Sequence, residues 1–363
     1  MRRFVLLILA VGIAGAFSRI SISVAAQDDE PAVITVENAG DLVATGTLLG
    51  HSEPITAIDF SFDGALLASS GDDASVKVWD VASLDMVADL FEHVSFVKDV
   101  AFQPDSSSLA SVSWDRTVVF YDAADALNIA MTQKIEGYFG VIERLAYSPD
   151  GQLLVVGVGD GEIVEIDTQT HEQIGAYPVS GLRITALDFA PAVEDAPLIF
   201  ASATGFPDEA LQLWTPGNDA PVAFPEGHDG AVTAMDFRPI ATDDGSFTLA
   251  TVGDDSTMRL WRIAPEFVEH SFSADIEELS AGSLENGDWF TSVAFHPDGD
   301  LLAVSTLDGV IYIWDVRDPS APVQLAALTG HDSAVNDIAF SPNGDLLASA
   351  GADRTIRLWA VND

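Results

Sequence analysis

GDDASVKVWD at 71–80 returns as GDDSTMRLWR at 253–262 and as GADRTIRLWA at 351–360. Each copy opens on a small polar turn carrying aspartate and climbs into an alternating apolar run that reaches Trp79, Trp261 or Trp359. One reading is chemical: Asp73, with Ser69 just before it and His51 upstream, supplies the residue types of a Ser–His–Asp triad. The other is architectural, a turn and strand that the chain builds again and again. A catalytic site occurs once and a building block many times, so the copies must be counted first.

A longer motif surrounds the turn: an aromatic, often Ser-Pro-Asp-Gly, then Leu-Leu-Ala-Ser. It reads DFSFDGALLAS at 59–69, AFQPDSSSLAS at 101–111, AYSPDGQLLVV at 146–156, AFHPDGDLLAV at 294–304 and AFSPNGDLLAS at 339–349. Looser copies stand at 188–202 and 236–251. The anchoring aromatics are Phe60, Phe102, Tyr147, Phe189, Phe237, Phe295 and Phe340, separated by 42, 45, 42, 48, 58 and 45 residues. Within each of these seven units, short alternating runs are bounded by Gly, Asp, Asn and Pro, the pattern of an antiparallel meander.

With Gly-His at 50–51, 227–228 and 330–331, the turn aspartate, and Trp-Asp at 79–80 and 314–315, the chain resembles the WD-repeat β-propellers over nearly all of its length after residue 40. The resemblance implies an all-β fold, a seven-bladed propeller of four-stranded antiparallel blades. The last unit stops at WAVND, after its third strand, and DLVATGTLL at 41–49 reads as the missing outer strand. An N-terminal strand completing the last blade would leave no open seam. The propeller is thus expected over 41–363, with QDDEPAVITVENAG at 27–40 as a linker or edge cover.

The resemblance also assigns the recurring polar residues to a hydrogen-bond network. It comprises His51, Ser69, Asp73 and Trp79 in the first unit; His228, Thr251, Asp255 and Trp261 in the fifth; and His331, Ser349, Asp353 and Trp359 in the seventh. The second has His93, Ser111 and Asp115, with Tyr121 in the Trp position. Repetition around a ring favours structure over catalysis, and histidines on different blades cannot converge on one metal. The third unit has Tyr138, Val156 and Ile166 in place of His, Ser and Trp; the fourth has Ser180 and Asp208; the sixth has Asn286 and Val304. These units must rely more on apolar packing.

Composition narrows the function. Asp and Glu number 57 against 15 Lys and Arg, a net charge of −42, and the lysines are only Lys77, Lys98 and Lys134. Such a surface repels phosphate backbones and anionic membranes, so nucleic acid is excluded as a partner; the composition also fits adaptation to salt. Cysteine is absent, which removes thiol catalysis and thiolate metal sites. The start, MRRFVLLILAVGIAGAF, followed by small residues at Val24-Ala25-Ala26, is laid out as a secretory signal peptide over 1–26. It implies a secreted or periplasmic protein, bacterial in type, with no stable membrane insertion after cleavage. An uncleaved anchor is the alternative.

In the family the face carrying the turn aspartates commonly binds peptides and proteins. Its exposed positions are expected at the third and fifth residue after each His position and just before the turn Asp. They point to Phe96, Lys98, Trp114, Glu143, Arg183 and Trp289 as partner-binding residues, with aromatics and arginine typical of interface hot spots. The long stretch 262–288 reads as a loop or a short helix near EELSA (277–281). Asp-rich loops at 193–197 and 241–246 lack a Ca²⁺-loop spacing. His171, His270 and His296 stand isolated from any acid cluster. The reading is a non-enzymatic protein- or peptide-binding scaffold with no cofactor and no metal. A propeller hydrolase or lyase and an acidic structural envelope component are the alternatives.

Overall fold

A computed structural model describes residues 32–362 apart from 180–182, 195, 206–210, 219–220, 225–226, 269–270 and 285–286. The stretch read as a signal peptide, Ser180, Asp208, His270 and Asn286 lie outside the described residues. The chain from Pro31 onward is one compact unit. It forms seven four-stranded antiparallel sheets, and six of them run in sequence order from inner to outer strand. The seventh takes its inner three strands from the C-terminus, Val335–Phe340, Leu347–Gly351 and Thr355–Val361, and its outer strand from Leu42–Leu49. Leu42 pairs with Val361 and Leu49 with Thr355, so chain ends meet within one sheet and no blade is left with an open seam. No helix among the described residues is long and apolar enough to cross a membrane.

Of the stretch read as a linker or edge cover, the described residues lie against the propeller: Ile34 and Ala39 are fully buried among Leu301, Ile311 and Leu347, between the last two blades. Ile34 N–H donates to Gly344 O (2.8 Å). The 262–288 stretch is neither loop nor helix but a long ribbon of Thr257–Val268 against Ser271–Ser283. Its register pairs Ile263 with Ile276, Pro265 with Ala274 and Phe267 with Phe272 on one face, and Arg262 with Glu277 and Glu266 with Ser273 on the other. Period-two alternation outweighs the helix propensity of EELSA. The apolar side packs onto the blade 4–5 core beside Val193 and Ala241, and the rings of Phe267 and Phe272 stack 5.4 Å apart.

Each blade is fastened internally by its polar network. In blade 1, Trp79 Nε1–H donates to Ser69 Oγ (2.9 Å), Ser69 Oγ lies 2.8 Å from His51 Nε2, and His51 Nδ1 lies 3.0 Å from Asp73 Oδ2. With a neutral imidazole the donors run one way, indole to hydroxyl to imidazole to carboxylate, and every member is satisfied. The same chain joins Trp261, Thr251, His228 and Asp255. It also joins Trp359, Ser349, His331 and Asp353. In blade 2, His93 bridges Ser111 and Asp115, and Tyr121 Oη lies 3.4 Å from Ser111 Oγ. In blade 6, Val304 stands in the hydroxyl position and Trp314 Nε1 is left buried without a partner. Ser69, Ser111, Thr251 and Ser349 are all fully buried, so no substrate carbonyl reaches these hydroxyls.

Blade is fastened to blade by carboxylates. Asp59 in the inner strand of blade 1 (Ile55–Phe60) accepts the N–H of Phe102 from blade 2 (2.7 Å). Asp99 accepts from Leu145 of blade 3 (3.0 Å), Asp188 from Phe237 of blade 5 (2.7 Å), and Asp236 from Phe295 of blade 6 (2.5 Å). Asp337 closes the ring: it accepts Ile58 N–H of blade 1 and Ser292 Oγ–H of blade 6, both at 2.8 Å. At the remaining seam, Arg144 of blade 3 donates to Thr185 O of blade 4 (2.8 Å). The geometry is regular, each aspartate reaching the residue one register position further along on the next blade. These side chains still touch the narrow central channel but are enclosed by protein. Desolvation therefore pushes the carboxyl of Asp59 up to about 7 and that of Asp99 up to about 6, and raises those of Asp188 and Asp236 as well, against the bonds from backbone N–H groups.

Two predictions follow from this scaffold. Ser69→Ala strands the Trp79 indole N–H and one imidazole nitrogen in a dry site, and is expected to lower stability by about 2–3 kcal/mol in urea unfolding. A loss near zero would mean the network is dispensable. For the belt, carboxyls raised in the folded state contribute stability that is complete below their unfolded values and is lost as pH rises through about 6 to 7. Each such group then tilts stability by up to about 1.4 kcal/mol per pH unit. The melting temperature should fall between about pH 4 and pH 7 and level off above that. Asp59→Asn keeps the acceptor for Phe102 N–H and should flatten that fall; an unchanged slope would count against the belt. The network aspartates act oppositely. Burial alone would raise Asp73, but bonds from His51 and Ser75 hold it well below the usual range, so their contribution vanishes only in strong acid.

Candidate functional site

The channel opens on the face of the turn aspartates into a depression of about 790 Å³. One irregularity shapes it. Every inner strand pairs with its neighbour except at one residue, where the register slips: Thr56, Lys98, Glu143, Thr185, Thr233, Thr291 and Asn336 are each passed over. A bulge kinks the strand and re-aims the extra side chain. Here it turns that side chain away from the blade, toward the channel and the next blade.

Four of these seven residues become a second layer of latches. Thr56 Oγ1–H donates to Val97 O (2.6 Å), Thr233 to Phe290 O (2.9 Å), Thr291 to Val335 O (2.5 Å), and Asn336 Nδ2–H to Ile55 O (2.6 Å). Blades 2, 3 and 4 break the pattern. Lys98 reaches back to Asp72 (3.2 Å), Glu143 takes both ends of the Arg183 guanidinium at 3.2 Å, and Thr185 Oγ1 is enclosed without a hydrogen-bond partner. On blades 2 and 3 charged side chains replace the hydroxyls that latch blades 1, 5 and 6, while blade 4 keeps its threonine without the bond.

The six residues read as partner-binding are distributed unevenly. Lys98, Glu143 and Arg183 line the depression. Phe96 and Trp114 form a lip beside it: Trp114 N–H donates to Phe96 O (3.0 Å), which sets their rings 5.3 Å apart at 51°. Despite that contact, Phe96 is 41% and Trp114 36% exposed, and Lys98 Nζ sits 5.4 Å from the Trp114 ring centre, a cation–π distance. Arg183 is exposed as well, its side chain at 55%. Glu143, read as an exposed position, is only 3% exposed: the bulge directs it sideways and Arg183 covers it. Its carboxylate pairs with the Arg183 guanidinium above it. Trp289, 53% exposed, stands on blade 6, across the mouth from the lip.

Two residues of this sector escape the position rule. Val94 is 85% and Phe139 91% exposed, and both follow directly on the histidine position of their unit. The corresponding residues of units 1, 5 and 7 are Ser52, Asp229 and Asp332. The contrast was available in the repeat alignment: polar in three units, large and apolar in blades 2 and 3.

The other groups singled out in the sequence have structural employment. Asp244 accepts from Thr242 and Ser246 in its own loop and pairs with Arg262 (2.8 Å). His296 Nε2 lies 3.0 Å from Gly344 O, wedged between blades 6 and 7, and the His171 ring packs against Phe120 at a 52° tilt. Among the described residues no three His, Cys, Asp or Glu side chains converge as metal ligands.

Comparison with known proteins agrees with this architecture. The family model described as WD domain, G-beta repeat matches residues 42–80, 85–122, 220–262, 281–315 and 322–360, more than half of the chain. The longest interval it leaves, 123–219, holds most of blades 3 and 4; blade 3 lacks the latch hydroxyl and the network His, Ser and Trp, whereas in blade 4 Trp214 Nε1–H still donates to Ser202 Oγ (2.8 Å). The guanine nucleotide-binding protein subunit beta of Oryza sativa subsp. japonica is 25% identical over 294 residues, 77% of this chain and 72% of that protein. The transcriptional corepressor LEUNIG_HOMOLOG of Arabidopsis thaliana is 26% identical over 289 residues, 78% of this chain and 32% of that protein. The WD repeat and SOCS box-containing protein 1 of Xenopus tropicalis is 28% identical over 260 residues, 70% of this chain and 58% of that protein. With repeats matched through most of the ring and seven blades closed by an N-terminal strand, the chain belongs to the WD40-repeat family of β-propellers.

Proposed function

We propose that the chain is a non-enzymatic scaffold that docks a protein or peptide on the blade 2–4 sector of its channel mouth, and that it does so outside the cytoplasm, in the periplasm or the medium. The observation that carries the docking reading is the exposed Phe96–Trp114 lip beside Lys98, in the sector where latching hydroxyls have given way to charge. Two large rings held half in water by a backbone bond offer apolar area at little ordering entropy, the usual make-up of an interface hot spot. Relatives named as a subunit beta and as a corepressor support a protein partner. The basic, then apolar, then small-residue order of residues 1–26 supports export.

The test is a pull-down from the organism's envelope and medium fractions with residues 27–363 as bait and the Phe96→Ala/Trp114→Ala chain as control. Both positions are exposed, so the control should melt within a few degrees of the parent. A partner retained by the parent and lost, by about tenfold or more, on the control is the expected result. Equal retention would move docking off the lip. Export is tested separately, by N-terminal sequencing of the protein recovered from those fractions: a start at Ala26 or Gln27 is expected, and an intact Met1 in the cytosol would overturn it.

A further inference from the structure

The mouth is divided into two unlike halves, and the division points to the chemistry of what lies across it. On blades 2 and 3 the rim is apolar, with Val94, Phe96, Trp114 and Phe139 all exposed. Its salt bridges, Lys98–Asp72 and Arg183–Glu143, are closed pairs, and the exposed Arg116 and Asp160 offset one another, so little net charge is left. On blades 5, 6 and 7 acids stand on the rim, beside the exposed Trp289 and Leu307 of blade 6. Asp229 and Asp332 follow the histidines, Asp254 precedes the turn aspartate of blade 5, and Asp308 is the exposed turn aspartate of blade 6. Asp254 faces into the depression itself. Against these four acids the same arc carries one exposed cation, Arg354. In a ring of seven, blades 5 to 7 stand across the channel from blades 2 and 3.

We infer that the partner is an extended segment with a large apolar anchor that seats on the blade 2–3 lip and a cluster of lysine or arginine that crosses the mouth onto the acidic arc. This rests on the docking reading above and specifies its ligand. Charge complementarity argues for it twice. The arc itself is acidic, and the chain's net charge of −42 steers basic segments toward every face while this one adds an apolar seat beside its acids. An acidic segment would meet uncompensated repulsion on the arc, and a purely apolar one would leave the arc without a partner.

Three fluorescently labelled synthetic peptides test this by anisotropy on residues 27–363. The first carries a tryptophan anchor followed, several residues on, by three lysines. The second replaces the lysines with glutamates, and the third replaces the anchor with serine. The first peptide is expected to bind at least about tenfold more tightly than either other. Phe96→Ala/Trp114→Ala, or the milder Val94→Ser, should weaken it with little change in its salt dependence. Asp229→Asn/Asp254→Asn/Asp332→Asn should weaken it and remove most of that salt dependence. Equal binding of the glutamate peptide would overturn the basic requirement. Equal binding of the serine peptide would reduce the effect to diffuse charge attraction and overturn the inference. If the pull-down partner depends on the lip yet binds through an acidic segment, docking stands and this inference falls. If the partner ignores the lip, docking itself falls.

Discussion

An enclosed carboxylate accepting a backbone N–H from the next blade is the bond on which this ring depends. A propeller closes only if seven interfaces share one angle, and apolar packing is non-directional. The aspartates supply the direction. Asp59, Asp99, Asp188, Asp236 and Asp337 each fix the height of one inner strand against the next. Arg144 performs the same task with opposite polarity at the blade 3–4 seam, and Ser292 completes the blade 6–7 seam. A lost member leaves a donor without a partner in a narrow channel, which costs about 1–3 kcal/mol and frees one seam to slide.

The blade networks and the belt work at right angles. His, Ser or Thr, Asp and Trp hold the strands of one blade in register, and the belt holds blades in a circle. Their carboxyls respond to surroundings in opposite directions. Asp73 meets an imidazole and a hydroxyl and is held ionised, whereas Asp59 meets one or two N–H groups in a confined channel and is pushed toward neutrality. Of the two kinds, only the ionised network aspartates add to the outward field of the protein. The charge that a partner senses lies on the rim and the outer loops.

Much of this was legible from the chain. The aromatic period counted the blades, the truncated last unit together with 41–49 revealed the closure, and the recurring polar residues located the blade networks. The bulge was legible too, though it went unread. Apolar residues of the inner strands fall at Ile55, Ile58 and Phe60, at Val97, Val100 and Phe102, and likewise in every unit, a spacing of three and then two. That break in alternation marks the passed-over residue, and with it the side chains that turn into the channel. Missing it made Glu143 look exposed. The ribbon at 257–283 was hidden by good helix formers in EELSA, whose fate was decided by cross-strand partners. The enclosed aspartates carried no signal of their own, because Asp in a strand facing a channel reads the same as Asp in a strand facing water.

The placement of the docking sector follows from the same constraints. A channel-mouth position can exchange its hydroxyl latch for charge only where something else holds the seam. At blade 2 the Asp99 bond to Leu145 remains, and at blade 3 Arg144 reaches Thr185 O while Arg183 spans to Glu143. At blade 4 the Asp188 bond to Phe237 remains. Lys98 and Glu143 are therefore tolerated where threonine stands in blades 1, 5 and 6, and the rim above them is free to carry Phe96, Trp114 and Phe139. On the other side of the mouth Thr233, Thr291 and Asn336 are committed to latching, so variation there is confined to the outer rim, where acids stand beside Trp289 and Leu307. The two-sided face that a basic, apolar-anchored segment would fit arises because a closed ring lets different positions vary on its two halves.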